Sequence, residues 1–122
     1  MYIETDQIEL KQRYTSDIAK EVIAFLNTSG GTIYIGINDD GEVVGVDNQD
    51  ETLFKVSNLI HDTVVPDALS FIRIDIYNEC IIRIQIMEGT NKPYYLKISY
   101  HIKRNYDMTF LQINIIVIII SI

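Results

Sequence analysis

The apolar positions near the start of the chain change their spacing after the first dozen residues. Residues 8–11 (IELK) alternate apolar and charged side chains, which is typical of a short strand. From Ile18 to Leu26 the apolar residues recur at helical spacing, and residues 15–17 (TSD) offer N-cap side chains directly before them. The pattern therefore predicts a strand followed by an amphipathic helix.

Alternation returns after the helix. Residues 32–37 carry isoleucine at every second position, residues 42–46 are also strand-like, and the Asp40-Gly41 pair between them indicates a hairpin. Asp50 can cap a second helix with apolar residues on one face, and Pro66 would end it. We expect two strands and then a second helix.

A second hairpin is predicted from two β-rich runs, residues 69–77 and 80–87, which a few polar residues connect. Isoleucines alternate with polar residues in both runs, so one face of the sheet should be apolar and the other polar. The predicted fold is α+β: a mixed, mostly antiparallel sheet with two helices packed on it, in the order β-α-β-β-α-β-β, with a further β-strand optional.

The glycine pair Gly30-Gly31 follows the first predicted helix. Phosphate-binding glycine loops precede a helix, because the N–H groups of the helix N-terminus attract anions. Here the nearest helix groups are the last carbonyls, which repel phosphate. The pair therefore favours a left-handed helix cap and a tight entry into a strand.

The end of the chain has a different composition. The stretch from Phe110 holds 13 residues and is almost wholly apolar, whereas a helix needs about 20 apolar residues to span a bilayer. We therefore expect no membrane span, and as a strand the stretch would form a sticky, uncharged edge. We divide the chain into residues 1–97, one domain, and residues 98–122, an atypical tail.

Charge and cysteine content narrow the functional classes. A net charge of −7 is unfavourable for a free-standing nucleic-acid binder, although residues 89–106 hold four bases and no acid. The single Cys80 fits a reducing compartment, and the polar N-terminus lacks a signal-peptide pattern, so we expect a cytoplasmic protein. We interpret Cys80 as a buried, inert thiol, and His61 and His101 lack neighbours at zinc-ligand spacing.

Several segments together resemble one family. They are IELK at residues 8–11, IAFLNTSGGTIYIGINDDGEVVGV at 23–46, IHDTVVPD at 60–67 and KPYYLK at 92–97. The chain resembles the Schlafen-type AlbA-like domain, from about Glu4 to Lys97. That domain lies at the N-terminus of many bacterial proteins classed as transcriptional regulators or helicase-related ATPases. The resemblance implies a mixed α/β domain that binds nucleic acid and that forms, in some members, the body of a metal-dependent ribonuclease.

The sequence departs from the family pattern after Lys97. Members usually continue with a strand that carries an Arg-x-Gly-type segment, and this chain instead reads ISYHIKRNYDMTFLQINIIVIIISI. Our hypothesis is a frame change or early stop near Lys97.

The resemblance also implies a candidate carboxylate trio, Glu4, Glu9 and Asp39. Ribonuclease-active Schlafens carry a pattern similar to E-x-x-x-x-E-x-K, followed by an acid just after the Ile-Gly strand. In this chain Lys11 occupies the position of the lysine. Three close carboxylates repel one another unless a divalent cation compensates, and Mg²⁺ or Mn²⁺ suits an all-oxygen site. Such an ion could activate a water, while Lys11 could hold a phosphate.

A structural role for the same residues is the alternative. Glu4 lies near a terminus, Glu9 and Lys11 can form an exposed pair, and Asp39 is a common type of turn residue. No cofactor is expected unless the nuclease function holds.

The basic and aromatic segment at residues 92–97 (KPYYLK) provides the second candidate site. Its tyrosines could stack on bases and its lysines could contact phosphates, or one tyrosine could pack into the core instead. The candidate nucleic-acid contacts are Lys11, Lys92, Tyr94, Tyr95 and Lys97. Arg13, Lys20, Arg73 and Arg83 are interpreted as solvated.

Three functional classes stay open. The leading one is a nucleic-acid-binding regulatory module without catalysis, the second is the metal-dependent ribonuclease, and the third is a protein-interaction or dimerisation domain. Because sheet edges of small domains often pair across a two-fold axis, we also expect a homodimer.

Overall fold

The computed structural model describes residues 1–101 and 114–120, with side chains as far as Lys97. Two α-helices and seven strands lie in this part of the chain, with a 3₁₀ turn at Leu69–Phe71. In chain order they are β1 (Ile8–Lys11), α1 (Ile18–Asn27), β2 (Gly31–Ile35), α2 (Gln49–Thr63), β3 (Val64–Val65), β4 (Ile72–Tyr77), β5 (Ile81–Ile86), β6 (Tyr95–His101) and β7 (Asn114–Ile120).

The strands form two sheets. The larger has the order β1-β2-β5-β4, in which β1 runs parallel to β2 and the other pairs are antiparallel. The smaller has the order β3-β6-β7 and is antiparallel throughout. The predicted α+β class, a mixed and mostly antiparallel sheet with two helices, is confirmed, as is the β4–β5 hairpin.

The main core lies between the helices and one face of the four-stranded sheet, which we call the covered face. Helix α1 contributes its whole apolar stripe because the 3.6-residue period aligns those side chains along one side. The fully buried residues include Ile18, Val22, Ile23 and Leu26 of α1, Val56 and Ile60 of α2, and Ile33, Ile35, Ile82 and Ile84 of the sheet.

The opposite side of the sheet, the open face, carries a second and smaller apolar cluster. Leu10, Ile37 and Ile81 are buried there, and the tyrosines Tyr2, Tyr34 and Tyr77 pack against them. This cluster contains no residue of either helix. The open face is therefore not sealed by the helix layer.

Gly30 ends α1 in the way the sequence predicts. Its φ of +85° lies in the left-handed region, and its N–H donates to the Phe25 carbonyl at 3.0 Å. A Cβ at this position would lie 2.6 Å from the Ile86 carbonyl oxygen, so only glycine fits. The turn delivers the chain directly into β2, with no phosphate-binding loop.

The predicted strand at residues 42–46 is wrong. Within the described residues this segment makes only an isolated bridge, between Ile37 and Val43. The N–H groups of Val44 and Gly45 both converge on the Gly36 carbonyl, at 2.8 and 2.9 Å. This close backbone approach bends the segment away from a ladder.

The predicted cap of α2 is also wrong. The N-cap is Asn48, whose side-chain oxygen accepts from the Glu51 N–H at 3.0 Å, and Asp50 lies inside the first turn. Asparagine and aspartate are both favoured at the N-cap, so the sequence pattern could not distinguish Asn48 from Asp50. The helix ends at Thr63, just before Pro66, as expected.

The predicted boundary after Lys97 falls within β6, which continues to His101 and pairs along its length with β7. Residues 102–113, 121 and 122 lie outside the described part of the chain. The separate tail and the frame-change hypothesis therefore stay predictions. In the described residues, no helix is both long and apolar enough to cross a bilayer.

Asn27 joins the end of α1 to the start of β6. Its side-chain N–H donates to the Tyr94 carbonyl at 2.9 Å, and its side-chain oxygen accepts from the Tyr94 N–H at 2.7 Å. We expect Asn27→Ala to lower the free energy of unfolding by about 2 kcal/mol, because two partly buried backbone groups lose their partner.

Urea unfolding followed by circular dichroism measures this loss. Asn58→Ala, at an exposed position of α2, is the matched control and should change the free energy by less than about 0.5 kcal/mol. Equal effects of the two substitutions would contradict the role of Asn27.

Candidate functional site

The edge strand β1 carries two of the predicted site residues. Glu9 and Lys11 pair in register with Ile33 and Ile35, so both lie on the covered face at the rim of the core. The short connection between β1 and α1 returns the first turn of the helix to this rim and brings Glu21 over β1. Lys11 Nζ lies 2.8 Å from Glu21 Oε1 and 4.0 Å from Glu9 Oε1.

Glu4 folds back onto the same strand. Its Oε2 accepts a hydrogen bond from the Leu10 N–H at 3.3 Å, and its carboxyl group lies near enough to that of Glu9 to raise the pKa of Glu9. We call Glu4, Glu9, Glu21 and Lys11 the carboxylate cluster. The structure thus brings two of the three predicted carboxylates into contact.

Asp39 lies close to Glu4 but outside this cluster. The Tyr2 N–H donates to the Gly41 carbonyl at 3.0 Å, which ties the N-terminal segment to the turn after β2. Glu4 and Asp39 consequently line the same surface depression, with Asp39 exposed on its rim.

A divalent cation held by Glu4, Glu9 and Asp39 would need suitable donor atoms in a suitable arrangement. Carboxylate oxygens are the donors that Mg²⁺ and Mn²⁺ prefer. Among the residues that the structure describes, however, no group of three or more acidic, histidine or cysteine side chains is arranged to hold a metal ion. The donor type fits and the arrangement does not, so metal binding by Glu4, Glu9 and Asp39 stays a prediction.

The cluster has a distinct electrostatic character. Burial, followed by the charge and hydrogen bond of Glu4, raises the pKa of Glu9. Burial lowers the pKa of Lys11, but the hydrogen bond and charge of Glu21, together with Glu9 and Glu4, raise it on balance. Lys11 is therefore a charged group already held by carboxylates, and a phosphate at this position would compete with them.

Sequence reasoning missed Glu21. The sequence feature that could have indicated it is the short link between β1 and α1, which brings the N-terminal end of the helix back across the strand. One of the two carboxylate oxygens of Glu21, Oε2, is buried and lacks a hydrogen-bond partner in the described structure. Glu21 is thus the residue that fixes Lys11 at the rim.

The basic and aromatic segment at residues 92–97 divides into exposed and buried positions. Lys92 and Lys97 are exposed, and Lys92 forms an ion pair with Glu88. Tyr95 is half-buried at the start of β6.

Tyr94 is a correction to the predicted contacts. Its side chain is fully buried in the main core, and its hydroxyl accepts from the Asn91 N–H at 3.1 Å. The ring is therefore unavailable for stacking on a base. The alternative expectation, in which one tyrosine of the segment packs into the core, describes Tyr94.

The open face holds an aromatic arrangement that the sequence analysis did not identify. The ring centroids of Tyr2 and Tyr34 are 5.1 Å apart, and those of Tyr34 and Tyr77 are 5.9 Å apart. The Arg83 guanidinium carbon lies 4.3 Å from the Tyr77 ring centroid. We call Tyr2, Tyr34 and Tyr77 the tyrosine row.

Arg83 is fixed beside the tyrosine row by a two-pronged ion pair. Its Nε and Nη2 donate to the Asp75 carboxylate at 3.0 and 2.7 Å. Burial, and then the neighbouring Tyr77 and Tyr2, raise the pKa of Tyr34, so its hydroxyl is neutral at pH 7. The signal for this arrangement was the alternation in β2, β4 and β5, which assigns Tyr34 and Arg83 to one face.

The remaining candidate residues keep modest roles. Cys80 is a partly exposed free thiol that precedes β5 and packs against the open-face cluster. His61 is exposed on α2, and its Nδ1 lies 3.1 Å from the carboxylate of the adjacent Asp62.

Comparison with known proteins identifies the class of this domain. The model of the family described as Schlafen, AlbA_2 matches residues 4–110. The chain belongs to this family, and the resemblance inferred from its segments is confirmed.

Two solved structures were aligned with this chain, and one of them shares its fold. The N-terminal domain of a RecG-related helicase protein from Nitrosomonas europaea aligns with a TM-score of 0.57 and 20% identity over 80% of this chain and 74% of that chain. This likeness supports the fold alone. The DIP2311 protein from Corynebacterium diphtheriae aligns at 0.49 and 14% identity over 78% of this chain and 21% of that chain, a score too low to establish a shared fold.

The contact between Glu4 and Glu9 predicts a pH dependence. A carboxyl group whose pKa is raised by folding stabilises the fold most below its ordinary value of 4.5, and that contribution is lost as the pH rises through the raised pKa. The free energy of unfolding of Glu9→Gln should therefore rise relative to that of the wild type as the pH increases from 4.5 through the raised pKa of Glu9. Glu4→Gln should lower the pKa of Glu9.

Carbon-13 NMR titration of the glutamate carboxyl groups measures the pKa directly, and urea unfolding across pH 4 to 8 measures the stability difference. Glu42→Gln, on the exposed turn, serves as the control. A Glu9 pKa that Glu4→Gln leaves unchanged would contradict the contact.

Proposed function

We propose that this domain binds nucleic acid, DNA or RNA, as a regulatory module. The observation that carries the proposal is the tyrosine row beside Arg83 on a sheet face that the helices leave open. Membership of the Schlafen, AlbA_2 family supports it, since the resemblance implies nucleic-acid binding. The RecG-related helicase protein with a similar fold is consistent with this class of partner.

Stacking explains how an acidic domain could hold a nucleic acid. Each base has a π face, so a series of partly exposed rings can hold successive bases without reading their sequence. Tyr2, Tyr34 and Tyr77 are all partly exposed, and the spacing of their centroids keeps the rings in one series. A single-stranded segment is the form of nucleic acid that offers unstacked bases to such a surface.

Phosphate contacts would come from cations near the row. Arg73 is exposed, and its position in β4 places it on the same face as Arg83. The ion pair with Asp75 offsets the charge of Arg83 and holds its guanidinium group beside the Tyr77 ring, in an orientation suited to stacking. The exposed Lys92 and Lys97 and the half-buried Tyr95 stay candidate contacts, while Lys11 is engaged by Glu21.

Binding through the tyrosine row predicts the effect of removing one ring. Tyr77→Ala should weaken binding of a fluorescently labelled single-stranded oligonucleotide by about 5- to 150-fold, because one stacking contact is worth about 1–3 kcal/mol. Tyr77→Phe keeps the ring and should bind like the wild type. Fluorescence anisotropy, measured over a series of salt concentrations with RNA and DNA, gives the affinities.

A parallel loss in Tyr95→Ala, with Tyr77→Ala unaffected, would place binding at the β6 segment instead. Circular dichroism checks that each variant is folded.

A ribonuclease is the second candidate function. It is favoured by the contact of Glu4 with Glu9, by the raised pKa of Glu9, and by the depression that Glu4 shares with Asp39. A carboxyl group with a raised pKa can exchange protons nearer to neutral pH, as general acid–base chemistry requires. The arrangement of the three carboxylates weakens this candidate, since they do not form a metal-holding set.

One assay separates the two functions. Purified protein is incubated with structured RNA and Mn²⁺, and the wild type is compared with Glu9→Gln and with the control Glu42→Gln. We expect salt-sensitive binding without cleavage by all three proteins. Cleavage that only Glu9→Gln loses would establish the ribonuclease.

A further inference from the structure

The outer edge of β4 lies at the end of the four-stranded sheet and is unpaired by any strand in the described residues. The Met87 N–H donates to the Phe71 carbonyl at 2.8 Å, so these two residues form a hydrogen-bonded pair. The next pair along the ladder, Ile72–Ile86, is therefore a non-hydrogen-bonded pair. Hydrogen-bonded and non-hydrogen-bonded pairs alternate in an antiparallel ladder. The backbone groups of Ile72, Ile74 and Ile76 therefore point away from β5, towards the open edge.

The side chains of this edge are arranged symmetrically about Ile74. The sequence of residues 72–76 is Ile-Arg-Ile-Asp-Ile, with isoleucines on the covered face and the two charges on the open face. Ile76 is 42% exposed, and Phe54 of α2, 69% exposed, borders a groove with Ile72 and Ile74. The edge thus presents an apolar strip on one side and one charge of each sign on the other.

We propose that a second copy of this chain pairs with this edge, antiparallel, about a two-fold axis at Ile74. Ile74 then lies opposite its own copy, and Ile72 lies opposite Ile76 of the other copy. The three outward-pointing residues would form about six backbone hydrogen bonds between the copies, two per hydrogen-bonded pair. The product is a continuous sheet of eight strands, four from each copy.

Charge complementarity selects both the partner and the register. With the axis at Ile74, Arg73 of each copy lies opposite Asp75 of the other in a non-hydrogen-bonded pair, where side chains approach most closely. The neighbouring registers that keep the faces matched place Arg73 opposite Arg73 or Asp75 opposite Asp75, and like charges directly opposite are unfavourable. Arg73 makes no ion pair with the described residues, whereas Asp75 already holds Arg83.

An isologous contact of this kind also protects the edge. An unpaired strand with exposed isoleucines invites pairing with other chains, and closure by one copy removes that edge from solvent. The two tyrosine rows would then lie on the same face of the joined sheet. The interface therefore goes beyond nucleic-acid binding and does not depend on it.

Cysteine cross-linking tests the axis. In a Cys80→Ser background of the full chain, Ile74→Cys should form a disulfide-linked dimer under mild oxidation, because a residue on the axis lies about 5.5 Å from its copy, Cα to Cα. Ile72→Cys is the matched control, since its two copies would be about 13 Å apart along the strands. Non-reducing electrophoresis gives the result.

Sedimentation velocity tests the charge pairing. We expect the wild type to dimerise with increasing concentration and Arg73→Glu to weaken the dimer at least about tenfold, because each cross-strand attraction becomes a repulsion. Arg13→Glu changes the net charge equally at an exposed position outside β4 and should leave the dimer unchanged.

Three results would overturn the proposal. They are a monomer at every concentration, a dimer that Arg73→Glu and Arg13→Glu affect equally, and cross-linking of Ile72→Cys in place of Ile74→Cys. Circular dichroism of each variant excludes unfolding as the cause of a lost dimer.

Discussion

The burial of alternate isoleucines from β2 and β5 beneath α1 is the contact on which the rest of the domain depends. Side chains of a strand alternate strictly between faces, so a strand that buries Ile33 and Ile35 must direct Tyr34 to the other side. A slip of one residue would bury the tyrosine and expose the isoleucines. The same contact that forms the core therefore also sets the composition of the open face.

The two edges of the sheet follow from this arrangement and differ in chemistry. At the β1 edge, α1 crosses close enough for Glu21 to hold Lys11, and the N-terminal segment brings Glu4 to Glu9. The result is a rim of interacting charges around a lysine. At the β4 edge no element of the described structure pairs with the outer side of the strand, so its isoleucines stay partly exposed and Arg73 is exposed. One edge is closed within the chain, whereas the other is suited to a contact between chains.

Sequence reasoning succeeded where a local pattern alone determines structure. The helical period of α1, the alternation in β4 and β5, and the glycine that ends α1 each need only neighbouring residues, and each is as predicted. It failed where distant parts of the chain decide. Residues 42–46 form no strand because the N–H groups of Val44 and Gly45 bond to the Gly36 carbonyl. Tyr94 is buried because Asn27 holds its backbone at the end of α1.

The candidate site shows the same division. The pattern of acids identified Glu4, Glu9 and Asp39, but only the folded chain shows that Glu21 joins the first two while Asp39 stays on the rim. The tyrosine row draws on β2, β4 and the N-terminal segment, and no short motif contains it.

The central claim is that the face of the sheet left open by the helices is the surface that contacts nucleic acid. Titrating isotope-labelled protein with a single-stranded oligonucleotide, and following the backbone amide signals by NMR, tests it most directly. The account predicts that the largest shift changes fall on Tyr34, Tyr77 and Arg83 and their neighbours in β2, β4 and β5. Changes confined to α1 and α2, or no change at saturating oligonucleotide, would contradict it.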